Sequence, residues 1–520
     1  MMQFIVHILK RFSLALAFYL PLGFSLQIPC SAQTYFNKQL CFLDPVQQEA
    51  AHSILAADSG YMIIGATAYS GNEDLLRIAI SRLNQEGDLV QTVYIGDTIR
   101  AFYSGVGVLL NTLDNAFAFA GTIYKGGDTA DNQAAIFKFN DGLQLTWVKL
   151  YGNKDGLLDT INAGRGLYQT QSGDYLLTGE QYSGGDYNEF YLQKTDAEGN
   201  QLWRKTYWFG GLGSSLNVIA TTDGGYAMGG YRYYPGPHVE VDPLVVKTDS
   251  LGNLEWYADI GSEYDDDVAC VALAQDGNIL AATIKADSLN QYLHVYKSYH
   301  MVKMANNGSE LWSRSYGTSR THMSINKMRT LEDGRIIACG VVPDLSPIRV
   351  GWIWLFTPDG DSLWYREYEL LGGAESMNYL YDVNEAPDGG FAACGVLYPF
   401  VPDTGNMDAW VLKVDSLGCE APGECWVGIN VTAPPQPLTV AGGELSIRPN
   451  PATTETHITW QGEAKLLEVF NASGVRVWQC KLPPEQTQYR LNTQAWPHGL
   501  YLLRLFMQDG QAITTKMMKQ

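Results

Sequence analysis

"TTDGGYAMGG" at residues 221–230 governs the fold, because versions of it recur along the chain. "DSGYMIIG" (58–65), "DNAFAFAG" (114–121), "SGDYLLTG" (172–179), "DGNILAAT" (276–283), "DGRIIACG" (333–340) and "DGGFAACG" (388–395) are the other copies. The apolar or aromatic residue after each turn falls at 61, 117, 175, 226, 279, 336 and 391, a period of 51–58 residues. Four residues later stands Gly65, Gly121, Gly179, Gly230, Thr283, Gly340 or Gly395. Asp58, Asp114, Asp223, Asp276, Asp333 and Asp388 open six of the turns. Asp-Gly pairs supply the positive-φ residues that tight hairpin turns require.

A second motif is interleaved. "GNQLWRKTYWFG" (199–210), "GNLEWYADIG" (252–261), "GSELWSRSYG" (308–317), "GDSLWYREY" (360–368) and "LTWVKLYG" (145–152) carry Trp203, Trp256, Trp312, Trp364 and Trp147. The first repeat has Gln91 at this place. Each repeat therefore reads as two hairpins, or four strands rich in β-formers. One such sheet cannot cover both of its faces. Seven can stack face to face around an axis, so the pattern predicts an all-β chain with a seven-bladed β-propeller over residues 33–419. An open β-solenoid is the alternative, but its repeats usually run only about 20–30 residues. Gly, Ala and Cys are expected where sheets converge, and Trp and Tyr where they splay. The last repeat has a third strand, "AWVLKVD" (409–415), but no Trp-bearing fourth. "TYFNKQLCF" (34–42) is an orphan ahead of the first repeat. It is expected to complete the last sheet and leave no bare edge. Residues 45–420 resemble the Asp-Gly-Gly-Tyr/Trp repeat proteins common among secreted bacterial propellers, in "TTDGGYAMGG", "VVKTDSLGNLEW" and the "YG" ends. That resemblance implies a fold and little chemistry.

The chain has 520 residues, 46% hydrophobic and 17% charged, which is a globular composition of more than one domain. A net charge of -20 argues against a nucleic-acid partner. Residues 1–32 contain Lys10 and Arg11, an apolar stretch from Phe12 to Leu26, and "CSAQ", which predicts a signal peptide cleaved after Ala32. No later segment is apolar for about 18 residues, so no transmembrane segment is expected. Seven cysteines remain after cleavage. Cys419 and Cys425 bracket "CEAPGEC" and form the expected disulfide.

Residues 420–443 are rich in proline and glycine and read as a linker. From 444 to 520 the pattern changes to short alternating runs, predicting a small Ig-like β-sandwich. "RPNPA" (448–452), "NASGVRV" (471–477), "HGLYLLRL" (498–505) and the terminal "TKMMKQ" resemble the type A C-terminal sorting domain of type IX secretion. The carrying residues are Pro449, Asn450, Pro451, Gly474, Gly499, Tyr501, Lys516 and Lys519, the two lysines as a basic tail. The resemblance implies the type IX machinery as partner. It also implies a secreted or cell-surface location on a Gram-negative bacterium. An ordinary Ig-like adhesion domain is the alternative.

Chemistry is sparse. No HExxH, GxSxG or Walker A pattern occurs. Ser324-Ile-Asn-Lys327 matches the loose SxxK pattern at the rate chance allows. His238, Glu240 and Asp242 alternate along one strand face, a pattern commoner in a solvated face than in a metal site. Glu263, Asp265, Asp266 and Asp267 crowd one loop, and calcium is the one cofactor they bring into question. Without assigned catalytic residues, the sequence favours a binding or scaffold module for a glycan, peptide or surface partner. An extracellular polysaccharide-degrading enzyme with its site at the propeller axis is the alternative.

Overall fold

The computed structural model describes residues 33–42, 49–57, 60–69, 72–125, 132–152, 162–182, 188–234, 240–289, 295–320, 323–343, 349–371, 376–400, 407–422, 445–450, 452–471, 476–483, 485–494, 496, 499–508 and 512–519. The expected signal peptide, Asp58, His238, Cys425, Pro451, Gly474 and most of the expected linker lie outside them. The chain divides into two units, Met1–Thr432 and Ala433–Gln520. The described residues are all-β, and none is helical.

In the larger unit the described strands form seven antiparallel sheets, an arrangement consistent with a propeller. The fourth in chain order is typical. Leu212–Ala220, Tyr226–Tyr234, Glu240–Thr248 and Leu254–Asp259 pair in that sequence. From the third sheet to the seventh the first strands pack against one another in turn, Ser376–Glu385 of the seventh packs on Glu49–Ala57 of the first, and Arg100–Ser104 of the second packs on the third strand of the first, Asn72–Leu83. These inner strands line an axis. The orphan segment behaves as expected: Phe36–Leu40 pairs with Asp408–Val414, from Phe36↔Lys413 to Leu40↔Ala409, and becomes the outer strand of the seventh sheet.

The Asp-Gly turns do two jobs. The amide of Gly224, at φ 86°, donates to Thr221 O (3.0 Å), and Asp223 Oδ1 accepts the amide of Gly225 (3.0 Å). The other oxygen of Asp223 meets Lys247 Nζ on the third strand (2.9 Å), whose side chain is fully buried. Lys138–Asp114 (2.7 Å), Lys303–Asp276 (2.7 Å) and Lys413–Asp388 (3.0 Å) repeat the pair. In the third sheet Asp174 takes the place of the second glycine and reaches Lys194 (3.1 Å). A Cβ at Gly225 or Gly390 would stand 2.5 Å from the lysine nitrogen, so the second glycine makes room for the ammonium. In the sixth sheet Leu355 replaces the lysine, and Asp333 pairs with Arg335 of its own turn (2.5 Å). The lysine hydrogen bond holds the Asp114 carboxyl below the usual range, supported by Thr112.

Between sheets, the outer-strand aromatic residue packs on the turn glycine that joins the third and outer strands of the next sheet. A Cβ at Gly199, Gly252, Gly308, Gly360 or Gly418 would come within 2.6–3.1 Å of Trp147, Trp203, Trp256, Trp312 or Trp364. Tyr151, Tyr207 and Tyr368 donate to the carbonyls of Gly199, Gly252 and Gly418 (2.8, 2.6 and 2.8 Å), which explains the "YG" ends. Phe36 stands at the tryptophan position of the seventh sheet, since it pairs with Lys413 as Trp256 pairs with Lys247. A Cβ at Gly87 would meet its ring at 2.7 Å. Where Gln91 interrupts the tryptophans, the facing turn interrupts the glycines: Leu143 takes φ 60° and is buried. Absence of the indole leaves room for that side chain.

The smaller unit has a three-stranded sheet (Ser446–Arg448, Glu455–Thr459, Gln488–Asn492) and a four-stranded one (Arg476–Lys481, Ala464–Asn471, Gly499–Met507, Ala512–Lys519). Ile458, Trp460, Leu467, Leu503 and Met517 fill its core. Asn450 clamps the last strand: Nδ2 donates to Lys516 O (2.9 Å) and Oδ1 accepts Met518 N (2.8 Å). Pro449 O accepts the Thr456 hydroxyl (2.8 Å). Tyr501 is buried against Trp496, with ring centroids 5.0 Å apart, and Gly499 opens the same strand at φ 150°. Lys516 and Lys519 belong to the strand Ala512–Lys519, which pairs with Gly499–Met507, and Lys519 is buried.

Candidate functional site

The inner strands carry a second repeated device. Register shifts fall between Ala51 and Ser53, Gly164 and Gly166, Ser215 and Asn217, Ile325 and Lys327, and Leu380 and Asp382. Each shift is a β-bulge, which frees one residue from the ladder and re-aims its side chain. The freed residues are His52, Arg165, Leu216, Asn326 and Tyr381, so the bulges free one variable side chain on the inner strand of five of the seven sheets. The motif glycines lie opposite. A Cβ at Gly65, Gly179, Gly230, Gly340 or Gly395 would overlap the carbonyl oxygen of Ala50, Ala163, Ser214, Ser324 or Tyr379. In the fifth sheet the ladder begins only at Cys270↔Ala282, and Thr283 replaces glycine and donates its hydroxyl to Asp267 O (3.0 Å). The repeated glycine thus marks the bulge, beyond the convergence of small residues expected from the sequence.

Side chains stitch the inner strands together. Ser53 Oγ accepts Val108 N (2.8 Å), and Thr122 Oγ1 accepts Gly164 N (3.1 Å). Asn217 donates to Val271 O (2.6 Å) and accepts Val271 N (3.2 Å). Asp267 accepts Ile325 N (3.2 Å), and Asp382 accepts Ile54 N (3.1 Å). Arg329 spans the sixth and seventh sheets, to Asp382 Oδ1 (2.7 Å) and Val383 O (2.9 Å). The axial carboxylates are therefore committed to backbone amides and one guanidinium. Burial pushes the Asp267 carboxyl up to about 6 against the lowering effects of the Val268 and Ile325 amides and of Lys297. Burial pushes His52 down to about 4, so its ring is neutral at neutral pH, with Nδ1 2.8 Å from Ser104 Oγ.

One lysine crosses the axis. Lys327 Nζ of the sixth sheet donates to Gly107 O of the second (2.6 Å). Burial, then the charge of Arg329, brings its ammonium down to about 8. Below it opens a cavity of about 500 Å³. Its walls are backbone and apolar side chains such as Leu109, Val218 and Met328, with Asn217, Gln169, Lys327, Arg329 and Thr330 as polar points. The lining includes no Asp, Glu, His or Cys among the described residues. Toward the turns it reaches Leu113, Ala220 and Thr330.

Other sequence candidates fall elsewhere. The described turn aspartates are absent from the cavity lining: Asp114, Asp223, Asp276 and Asp388 pair with lysines and Asp333 with Arg335. Asp242 pairs with Arg232 (2.6 Å). The crowded acidic loop disperses: Asp265 faces Lys297 (3.2 Å), Asp266 accepts Ser262 N and Ala286 N (2.5 and 2.6 Å), and Asp267 turns to the axis. No cluster of three potential metal ligands occurs among the described residues. Cys419 is disulfide-bonded, and Cys270, Cys339 and Cys394 are buried thiols. Lys327, read as half of a chance SxxK match, was missed. Its strand, "SINKMRT", is polar at five of seven positions, so a lysine there gives no signal of its own.

Residues 446–520 match the secretion system C-terminal sorting domain. No curated protein matches the chain. Among solved structures, the chain is similar to a protein of unknown function from Dyadobacter fermentans DSM 18053 (10% identity, TM-score 0.41, 60% of this chain and 95% of that one). It is also similar to the polysaccharide lyase Uly1 (12%, 0.41, 70% and 90%) and to a thermostable family-43 glycoside hydrolase (11%, 0.30, 51% and 92%). At such scores, the activities in those names stay with those proteins. No helix among the described residues is long and apolar enough to cross a membrane.

Proposed function

We propose that this chain is an exported seven-bladed propeller that binds a ligand in its axial cavity. A signal peptide at 1–32 directs it to the periplasm. The Ig-like sorting sandwich at 444–520, joined by the linker 420–443, takes it through the type IX machinery to be displayed or released. The Cys419–Cys425 disulfide ties off the end of the propeller. Cyclic packing of the seven sheets and closure by Phe36–Leu40 support the architecture. The sorting-domain match supports the route. The observation that carries the binding reading is the cavity itself: concave, with apolar strands and convergent polar groups sharing its lining about equally, as a site for a polar small ligand would be. Cleaving a glycoside ordinarily takes two carboxyl groups flanking the bond. The carboxylates nearest the axis, Asp267 and Asp382, hold backbone amides, which favours recognition of a ligand over its hydrolysis.

The test is a thermal-shift screen of the mature chain against oligosaccharides and peptides, beside an Ala220→Trp variant that fills the cavity. A ligand at 100 times its Kd adds about 2.7 kcal/mol to the wild type. The expected result is a shift in the wild type that Ala220→Trp abolishes. Equal shifts in both place binding elsewhere, and no shift with any compound rejects the binding reading. For the route, removing residues 510–520 is expected to trap the protein in the periplasm; normal surface display rejects the sorting role.

A further inference from the structure

Lys327 is a half-buried cation whose hydrogen-bond partner is a carbonyl. Among the described residues Nζ meets Gly107 O alone, so two of its three protons point to no protein acceptor. The fully buried lysines of this unit show the contrast: Lys247 meets Asp223 and Glu255, and Lys413 meets Asp388. The molecule carries -20 net and spends aspartates on turn lysines, yet leaves this axial one without a carboxylate. A second cation lies two residues along the same strand. Arg329 gives Nη2 to Asp382 and Nε to Val383 O, and both cations line the cavity. Thr330, also in the lining, has a buried hydroxyl with no partner. Ammonium, guanidinium and hydroxyl on one wall, with apolar side chains and the neutral amides of Gln169 and Asn217 on the others, describe a receptor for an oxyanion attached to a neutral body.

We infer that the axial cavity takes a small acid, whose carboxylate, sulfate or phosphate binds Lys327 and Arg329. This rests on the reading that the cavity is the binding site, and narrows its ligand to acids. A cavity of about 500 Å³ accommodates one or two sugar-sized rings, so the acidic end of an anionic glycan fits where a folded chain does not. The groups facing Lys327 are Arg329 on its own strand, Cys339 on the next strand of the same sheet, Cys270 from the fifth sheet and Asp382 from the seventh. Arg329 opposes the charge on Lys327, and Asp382 supports it. A bound oxyanion adds a second support, so binding draws a proton onto the amine at alkaline pH.

The experiment is calorimetric titration of the full mature chain with D-glucuronate, glucose 6-sulfate, inorganic phosphate and D-glucose at pH 7 and pH 9. Lys327→Met, Lys327→Arg and Ala220→Trp are run beside it. At least one acid is expected to bind ten-fold or more tighter than glucose. That preference should shrink to less than three-fold in Lys327→Met, survive in Lys327→Arg, and weaken from pH 7 to pH 9. Which acid binds separates carboxylate from sulfate and phosphate. Equal binding of acid and glucose, with both lost in Ala220→Trp, overturns this inference and leaves the cavity reading standing. Acid binding that persists in Lys327→Met also overturns it. If Ala220→Trp changes nothing, or nothing binds, both fall. A Lys327→Met chain that does not fold hands the decision to Lys327→Arg and the pH dependence in the wild type.

Discussion

Replacing Phe36 with alanine probes how the seventh sheet is completed. Phe36 is buried, its ring meets Tyr61 edge-on at 5.5 Å, and it fills the space that Gly87 leaves open. Truncating a buried phenylalanine costs about 3–5 kcal/mol, the lost transfer energy plus the cavity. Unfolding entropy near 2.1 cal/mol/K per residue gives about 0.8 kcal/mol/K for a unit of roughly 400 residues, so a loss of about 4 kcal/mol lowers Tm by about 5 °C. Differential scanning calorimetry of the mature chain reads this directly. Phe36→Trp is the control, because five sister sheets carry tryptophan there against a glycine. It should stay within about 1.5 kcal/mol of wild type, as volume-tolerant core swaps do. Removing residues 33–43 should do more than either, since Asp408–Val414 becomes a bare edge open to pairing with another chain. A Phe36→Ala chain that melts within 1 °C of wild type refutes the reasoning, as does a truncated chain that stays monomeric with its melting point unchanged.

Three further outcomes follow from the repeats. Gln91→Trp alone should destabilise by about 1–3 kcal/mol, because Leu143 occupies the facing turn, and adding Leu143→Gly should recover most of the loss; additive effects in chemical denaturation would dissociate the pair. Asp388→Ala strands the fully buried Lys413 and should cost about 3–5 kcal/mol, whereas Asp333→Ala, whose partner Arg335 is at the rim, should cost under about 1 kcal/mol; equal costs would contradict the role given to the turn aspartates. The folded-state pKa of Asp267 is raised to about 6, so the fold holds a proton there that the unfolded chain releases near 4. Wild-type stability should therefore fall by about 3 kcal/mol relative to Asp267→Asn as pH rises from about 3 to about 7, then run parallel; a constant difference across that window would reject the assignment.

Much of the fold is legible because it is local. An Asp-Gly turn, an apolar residue and a glycine four positions on lie within one hairpin, and the period follows from their recurrence. The closing strand is legible too, because the seventh repeat lacks an outer strand and residues 34–42 supply one. The meaning of the individual residues is less visible. Gly230 reads as a small residue for a crowded strand, yet it faces the Ser214 carbonyl across a bulge, and a bulge leaves no mark on the strand that carries it. The lysines of "VVKTD" read as surface charge, since an alternating strand does not reveal that Lys247 bends over a glycine to reach an aspartate more than twenty residues away. Leu143 and Gln91 lie in different repeats, at the places where other sheets set a turn glycine against a tryptophan, and only that cross-sheet correspondence relates them. Lys327 is the extreme case. Its partner Gly107 is 220 residues away, and only ring closure brings them together.

Amide hydrogen exchange tests the claim that the axis is the binding site most directly. The mature chain would be compared with and without the compound that gives the largest thermal shift. Added protection is expected on the inner strands that line the cavity, Asn162–Gln169, Leu212–Ala220, Cys270–Leu273 and Ser324–Thr330, with the outer strands Leu145–Tyr151, Gln201–Tyr207 and Leu254–Asp259 unchanged. Protection confined to the outer strands, or to the sorting unit, would contradict it.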